Sequence, residues 1–537
     1  MSWRRRHCLA AAAAAPLAAC LPEMQARCRW VGADHTRGHR LRAGRAGSLP
    51  APAVQRRAQV LVVGGGVAGL SALRALLQAG VADAQLLELE NSLGGNSRGH
   101  RLAGLPCPLG AHYLPVPGAA AREVSAWLHD IGLLRSDAAG VHANERHLCH
   151  APQERLFIDG AWQEGLLPSA DGRPATQAQY HRFADRVHSA QRQLGFAMPS
   201  HHAPWTADHQ ALDAQRFATW LAQEGLHDSR LLGYLDYACR DDYGAGIDSV
   251  SAWAGLHYFA SRHGFERPGE EAGPGSEPDG VFTWPEGNAW LVRELATPLA
   301  GRLHTGRTVL RVAEGRHAVQ LLAWDEQQAR AEAWTTDVVV MATPLFVARH
   351  LLDGLAPGLQ QALSEAVQAT QHAPWLVANL HLAAPLLDRP GVAPAWDNVR
   401  FQPAGQGTAL GYVDARHQSL RPDAASQGPA LLTAYHALPA ARRDWLLRAT
   451  PQQGLAEVLT ALAPVHPDLA GKLQQADLMR WGHAMAIPAP GVRSQPARQA
   501  LRQARGRVRF AHSDLAGYSV FEEAFTLGLD AVAGLGR

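Results

Sequence analysis

Lysine is almost missing from this sequence. Of its 50 basic residues, all but Lys472 are arginine, so any chemistry that needs an amine side chain has one candidate. Lys472 sits in a polar stretch beside Gln474 and Gln475 and reads as surface. Cysteine is scarce too. Cys8, Cys20, Cys28, Cys107, Cys149 and Cys239 are the full set of 6, and no C-x-x-C occurs. A disulfide framework and a cysteine metal centre are both without support. Only Cys107, Cys149 and Cys239 fall in the expected folded body. The net charge is +2, which gives no electrostatic case for a nucleic-acid partner. The 27 histidines are scattered. His201, His202 and His209 sit with Pro204 and Asp208 in a polar segment that reads as a solvated loop, with a metal site as the lesser alternative, and no metal is assigned.

What is present begins with a leader. Arg4, Arg5 and Arg6 precede Cys8–Ala19, an alanine-rich core too short to span a bilayer. The run Arg5-Arg6-His7-Cys8-Leu9 resembles a twin-arginine signal, and residues 1–20 are read as an export signal that delivers the chain to the periplasm or beyond. Leu17-Ala18-Ala19-Cys20 resembles a lipobox, which would make Cys20 a lipid anchor; ordinary cleavage after the small-residue run is the alternative. Residues 21–56 are rich in Arg, Gly, Ala and Pro without periodicity and read as a flexible linker. A chain of 537 residues exceeds one core, so at least two domains are expected.

The strongest local signal is Val60–Gly69, VLVVGGGVAG. Val60 to Val63 suit a strand buried on both faces. Gly64, Gly66 and Gly69 then give G-x-G-x-x-G around Val67 and Ala68. The first glycine permits the turn, the second lets a pyrophosphate approach the backbone, and the third lets helix pack on strand. Leu70, Leu73, Leu76 and Leu77 continue at helical spacing to Gly80, a C-cap residue. A second strand, Gln85–Leu89, brings Glu88 to a position where a carboxylate accepts hydrogen bonds from an adenosine ribose. Strand, glycines, helix, strand and acid in this order form a dinucleotide site.

Glu88–Asn96, ELENSLGGN, resembles the E-x-x-x-x-x-G-G-R stretch of the flavin amine oxidase superfamily, which includes amine and polyamine oxidases, protoporphyrinogen oxidase and phytoene desaturases. Gly94 and Gly95 match; Asn96 replaces the arginine, and Arg98 is the nearby charge. Leu109-Gly110-Ala111-His112-Tyr113 resembles the family's G-x-H segment beside the flavin, with His112 and Tyr113 facing flavin or substrate, or else packing. Thr308–Val312 resembles the strand whose backbone meets the adenine, with Val309 at the matching position. Asp337–Pro344 resembles A-D-x-V-V-V-A-T-P and places Ala342 and Thr343 at the cofactor. Met479–Ile487 resembles the W-x-x-A-x-P region, with Trp481 and His483 toward the substrate. At the C-terminus, strand Arg507–Phe510, turn Ala511–Tyr518 and helix Val520–Leu535 resemble the family's last flavin segment. His512-Ser513-Asp514 stands for its G-E/D and makes Asp514 the expected ribityl acid. Glu523 stands for the small residue of E-G-A. Val520 takes the place of the usual cage tyrosine, with Tyr518 and Phe521 nearby.

The resemblance implies an α/β chain: a Rossmann-type FAD-binding domain, discontinuous and p-hydroxybenzoate-hydroxylase-like, with an α+β substrate domain. The FAD domain is assigned to residues 57–115, 281–350 and 501–537, and the substrate domain to 116–280 and 351–500. Val124, Trp127, Leu128, Ile131 and Leu134 form one helical face, and Phe217, Trp220 and Leu221 another. Arg240-Asp241-Asp242-Tyr243 reads as a salt-bridged corner, and Trp253, His257, Tyr258 and Phe259 as pocket or core. The implied cofactor is FAD. A small-molecule donor would reduce it by hydride transfer to flavin N5, and oxygen, a quinone or another carrier would accept the electrons. An amine-like donor comes first. The alternatives are a hydrophobic donor of the porphyrinogen or polyene kind and a flavin-binding accessory protein without turnover.

Overall fold

The computed structural model describes residues 26–46, 49–138, 140–262, 264–265, 280–418 and 429–536. The leader at 1–20, with Cys20, lies outside them.

The apolar run Val60–Val63 ends a longer strand, Pro52–Val63, and is buried on both faces. It has parallel partners on both edges: Val60 lies opposite Ala84 of strand Ala84–Leu87, and opposite Val338 of strand Arg330–Met341. Val508–Phe510 adds a further parallel strand, with Val508 opposite Val339. One Rossmann-type sheet is thus assembled from distant parts of the chain. Strand Arg330–Met341 starts seven residues before the expected Asp337 because it serves two partners along one edge. Its first half pairs antiparallel with Val319–Asp325, and its end pairs with Val508–Phe510. Antiparallel pairing of Val319–Asp325 with Arg307–Glu314 completes a meander.

The expected linker at 21–56 is corrected. Strand Arg27–Trp30 adds parallel to Leu473–Ile487, with Arg27 opposite Gln475, and helix His35–Ala46 follows. Side chains that composition does not rank hold this segment. Arg29 donates twice to Asp477, at 2.9 Å each. Trp30 Nε1–H donates to the Ala449 carbonyl, and Gly454 gives its ring room: a Cβ there would lie 3.0 Å from the indole. Arg37 donates to the Leu89 carbonyl at 3.0 Å. Cys28 accordingly belongs to the folded body.

The second large sheet runs, edge to edge, Arg27–Trp30, Leu473–Ile487, Gln371–Leu382, Ala430–Ala437, Ala409–Asp414, Asp397–Arg400, Glu154–Ile158 and Ala161–Glu164. Helices Pro174–Gln193, Phe217–Gln223, Ser229–Tyr243 and Ala252–Ala260 pack with it around Tyr180, Phe183, Phe217, Tyr243, Trp253 and Phe259. These large apolar side chains, each worth roughly 1.5–3 kcal/mol on burial, form the main core. Helix Arg122–Asp130, assigned to the substrate domain from the sequence, packs in the other domain. Trp127 stacks 5.9 Å from Phe521 and 5.3 Å from Phe525 of the C-terminal helix Phe521–Val532. That helix crosses helix Val67–Gln78 at Gly528, where a Cβ would fall 2.1 Å from Ser71 Oγ.

Candidate functional site

Two grooves matter, and the fingerprint builds the first. A Cβ on Gly69 would lie 1.9 Å from the Gly64 carbonyl oxygen, so only glycine lets helix Val67–Gln78 start this close to the strand. Gly66, the N-cap of that helix, faces open space: a Cβ there would approach nothing nearer than Gly95 Cα at 3.9 Å. Val67 and Ala68 are buried in the first turn. Gly94 has φ +115° and donates to the Gly65 carbonyl, so the second glycine pair faces the first. A helix N-terminus with open glycine backbone is an anion cradle.

Glu88 follows strand Ala84–Leu87. Its carboxylate accepts from Gly65 N–H at 2.6 Å and Glu90 N–H at 2.8 Å, which fixes it at the mouth of the cradle. Leu89 beside it accepts from Arg37. Val309 is buried, and its backbone pairs with Ala323 on one edge. The ladder on its other edge starts only at Val312. Ala342 closes against Val63 through a 2.9 Å hydrogen bond. Among the described residues, two buried polar atoms around this groove have no partner, Arg98 Nε and Thr343 Oγ1. Open glycine backbone, a fixed acid and orphaned polar atoms fit a polar dinucleotide, and therefore fit FAD.

The segment that leaves this groove carries the second. A Cβ on Gly110 would sit 2.2 Å from the Asn96 carbonyl oxygen. Asn96 in turn accepts from Ala111 N–H at 2.8 Å and donates its side-chain amide to Ala484. Trp481 Nε1–H donates to the Leu109 carbonyl at 2.6 Å, and the Arg98 guanidinium lies 5.3 Å from the Trp481 ring centre. Asn288 N–H and Nδ2–H donate to the carbonyls of Ala111 and Tyr113. His112 and Tyr113 are thereby held between the sheets. His112 stacks on Tyr435 with ring centres 4.4 Å apart and lies 5.4 Å from Trp396. Tyr113 meets Trp396 edge-on at 6.0 Å and donates to Asp241 Oδ2 at 3.0 Å. Tyr237 donates to Asp397 Oδ2 at 3.4 Å.

His112, Tyr113, Tyr237, Asp241, Tyr258 and Asp397 lie between the packed elements, yet each keeps accessible surface, so they border an internal cavity. Burial pushes the His112 imidazole down to about 3 and keeps it neutral. Burial first, then the Asp242 charge, pushes Asp241 up to about 6. Burial, then Asp241 and Glu154, raises Asp397 well above the usual carboxylate range.

The remaining expected residues go elsewhere. Tyr518 has no exposed surface; it donates to Glu523 at 2.6 Å and packs on Tyr243 and His257. Glu523 also accepts from Ser200 N–H. Phe521 packs on Trp127 and is 8% exposed, so neither aromatic reaches the cavity. Val520 caps the C-terminal helix and keeps some accessible surface. The Asp514 carboxylate turns into the protein. Oδ2 accepts from Leu345 N–H at 2.9 Å, and Oδ1 meets His372 at 3.1 Å. It is wholly buried; against that burial, His512 and His372 hold it well below the usual range. Asp514 is a positioning residue that ties the last segment to the strand end at Thr343. The Arg240–Tyr243 run is only partly a corner: Arg240 pairs with Asp236 and Arg262 with Asp242, whereas Asp241 faces the cavity. Tyr237, Trp396, Asp397 and Tyr435 carry no motif; their signal is position in space. Lys472 pairs with Asp468 at 2.7 Å and takes no part.

Comparison with known proteins agrees with this geometry. The sequence profile described as flavin containing amine oxidoreductase matches residues 67–535. No curated protein matches the sequence. Among solved structures, wild-type putrescine oxidase bound to putrescine is similar, with a TM-score of 0.64 at 16% identity over 88% of this chain and 98% of that one. Cyclohexylamine oxidase from Brevibacterium oxydans IH-35A gives 0.62 at 16% over 89% and 98%. A fatty acid isomerase from P. acnes gives 0.60 at 14% over 89% and 98%. At these identities the structures speak for the fold. The profile covers most of the chain, and the chain belongs to the flavin-containing amine oxidoreductase family as an FAD-dependent oxidoreductase.

Proposed function

We propose that the protein oxidises a small amine by removing a hydride from the carbon next to nitrogen. The observation that carries this reading is the cavity beside His112, walled by aromatic rings and supplied with carboxylates. An ammonium is attracted to both: to the faces of Tyr435, Trp396 and Tyr113 and to the Asp241 carboxylate, which ionises above about pH 6. A carboxylate donor such as a fatty acid is repelled by the same groups, and a wholly apolar donor would leave them without a partner. When bound, FAD would supply the two-electron chemistry, with oxygen, a quinone or another carrier as the acceptor.

The chain's own residues hold and orient. Gly66, Glu88, Thr343 and Arg98 hold the dinucleotide. Asn96 and Asn288 fix the backbone of Ala111–Tyr113, so His112 and Tyr113 stand in one place relative to the groove. The neutral His112 adds no charge that would repel an ammonium. The packed rings exclude water from the reacting carbon.

The test is the visible spectrum of the purified holoenzyme under anaerobic conditions, with amines and apolar donors added in turn. Bleaching of the flavin band by amines is the expected result. Bleaching by apolar donors alone would assign the protein to the hydrophobic-donor class, and a band that no donor bleaches would make it an accessory flavoprotein.

A further inference from the structure

Residues 26–46 lie ahead of the range 67–535 that the family profile matches, yet they touch both halves of the molecule. Their root is the second sheet. Arg27–Trp30 runs parallel to residues 475–478, and Val31 N–H donates to the Leu478 carbonyl at 2.8 Å. The chain then turns at Gly32, with φ +87°, where a Cβ would collide with Met479 Sδ and lie 3.2 Å from a Leu109 methyl.

The far end fastens on the first groove. Asp34 N–H donates to Glu90 Oε1 at 3.0 Å, and Arg37 donates to the Leu89 carbonyl and to Asn91 Oδ1, at 3.0 Å each. The three residues after Glu88 are thus held from one short stretch. Glu90 lies 3.8 Å from the Arg98 guanidinium, and its N–H is one of the two that fix the Glu88 carboxylate. One turn on, Arg40 donates to both oxygens of Glu326, at 2.9 and 2.8 Å. Glu326 also accepts from Thr308 Oγ1–H at 2.8 Å, next to Val309. Helix His35–Ala46 packs against strand Arg307–Glu314, which carries Val309, and against helix Leu345–Leu351. Among the described residues, the outer edge of that strand gains a strand partner only from Val312.

We infer that residues 26–46 are a clasp over the adenosine half of the FAD site, which holds the ribose loop in place and so retains the cofactor. This rests on the placement of the ribose at Glu88 and the adenine at Val309. The clasp is built to open without unfolding the body. Its helix, HTRGHRLRAGRA, has two glycines and one large apolar residue, Leu41, so polar bonds rather than a core hold it down. Arg37 is the main latch: its side chain is 14% exposed against 49% for Arg40, and an exposed ion pair is worth little. Loop 88–91 cannot swing away from the ribose while Arg37 keeps both acceptors. Bound FAD and closed clasp therefore favour one another, and by linkage the two effects are equal in size.

The experiment uses the full-length holoenzyme. FAD release is followed by the recovery of flavin fluorescence on dilution, and clasp opening by trypsin, for which Arg37, Arg40, Arg42 and Arg45 offer sites. Arg37→Ala is expected to release FAD about tenfold faster than wild type, while the melting temperature of the apoprotein stays the same. Arg37→Lys keeps the charge but serves one acceptor at a time, and should fall between. In the wild type, FAD should slow cleavage within 37–45 by a comparable factor, beyond its effect on cleavage elsewhere in the chain. Cleavage there at a rate independent of FAD overturns the inference. So does an Arg37→Ala variant that keeps its FAD as long as wild type while Glu88→Ala loses it. Undiminished retention in both variants removes the adenosine placement and the clasp with it. The wild-type cleavage comparison decides even if the variants fold poorly.

Discussion

Tyr113 donates its hydroxyl to Asp241 across 3.0 Å and 128 residues of sequence. That bond joins the segment leaving the cofactor groove to a helix of the other domain, and it sets the Asp241 carboxyl against a ring that walls the cavity.

Asp241 works against the fold at neutral pH. Its carboxyl is raised on folding to about 6, above an unfolded value of ~3.9. A group raised in this way contributes stability below its unfolded value and loses it as pH climbs through the folded one. Asp241→Asn keeps an acceptor for Tyr113 and removes the charge. The variant should melt above wild type at pH 8, by ~1–2 kcal/mol after allowance for solvent screening, and the gap should close by pH 4. Equal melting temperatures at both pH values would contradict the assignment.

Asp514 behaves in the opposite sense. It is held below the usual carboxylate range by His512 and His372, so its contribution is present above the unfolded value and is lost as pH falls below ~3.9. Asp514→Asn breaks a buried charged network and should cost roughly 3 kcal/mol near pH 7. Urea unfolding at pH 7 and pH 3.5 checks this: the two curves should separate at the first and approach one another at the second.

Gly66→Val tests the cradle. The protein leaves room for the side chain, since the nearest atom to a Cβ is 3.9 Å away. The apoprotein should fold with nearly wild-type stability, while flavin content, read as the ratio of absorbance at 450 to 280 nm, should drop to background. Normal flavin content would place the pyrophosphate elsewhere.

Glu88 anchors two backbone N–H groups. Glu88→Ala leaves both without acceptors, at ~1–3 kcal/mol each, and removes the acid at the ribose position. Lower melting temperature and faster FAD loss on dilution should appear together. A variant with only the first change would show that Glu88 shapes the loop without touching the cofactor.

What could be read in the sequence follows the range of each interaction. The fingerprint Val60–Gly69 is local: strand, turn and helix start are set by consecutive residues, and Gly69 needs no distant partner to explain it. The family resemblance likewise located Gly110–His112, because close backbone approach demands small residues in a row. Asp241 and Asp397 left no such trace. One sat in a charged run that reads as a corner, the other alone after a tryptophan, and only the packing of helix Ser229–Tyr243 against two strands makes them neighbours. Strand Arg27–Trp30 was illegible for another reason: four residues are too few to show a period, and its hold comes from Asp477, Ala449 and Gly454.

That short strand also orders events in time. Arg27–Trp30 lies against residues 475–478, and Pro52–Val63, which meets Ala84–Leu87 early on one edge, waits on the other for 331–341 and, beyond it, 508–510. During synthesis the first strands of both sheets therefore each keep an open edge long before the partner that covers it is made. Neither sheet can close until nearly the whole polypeptide has been made, so the nascent chain must be kept from wrong pairings at its exposed edges for most of translation.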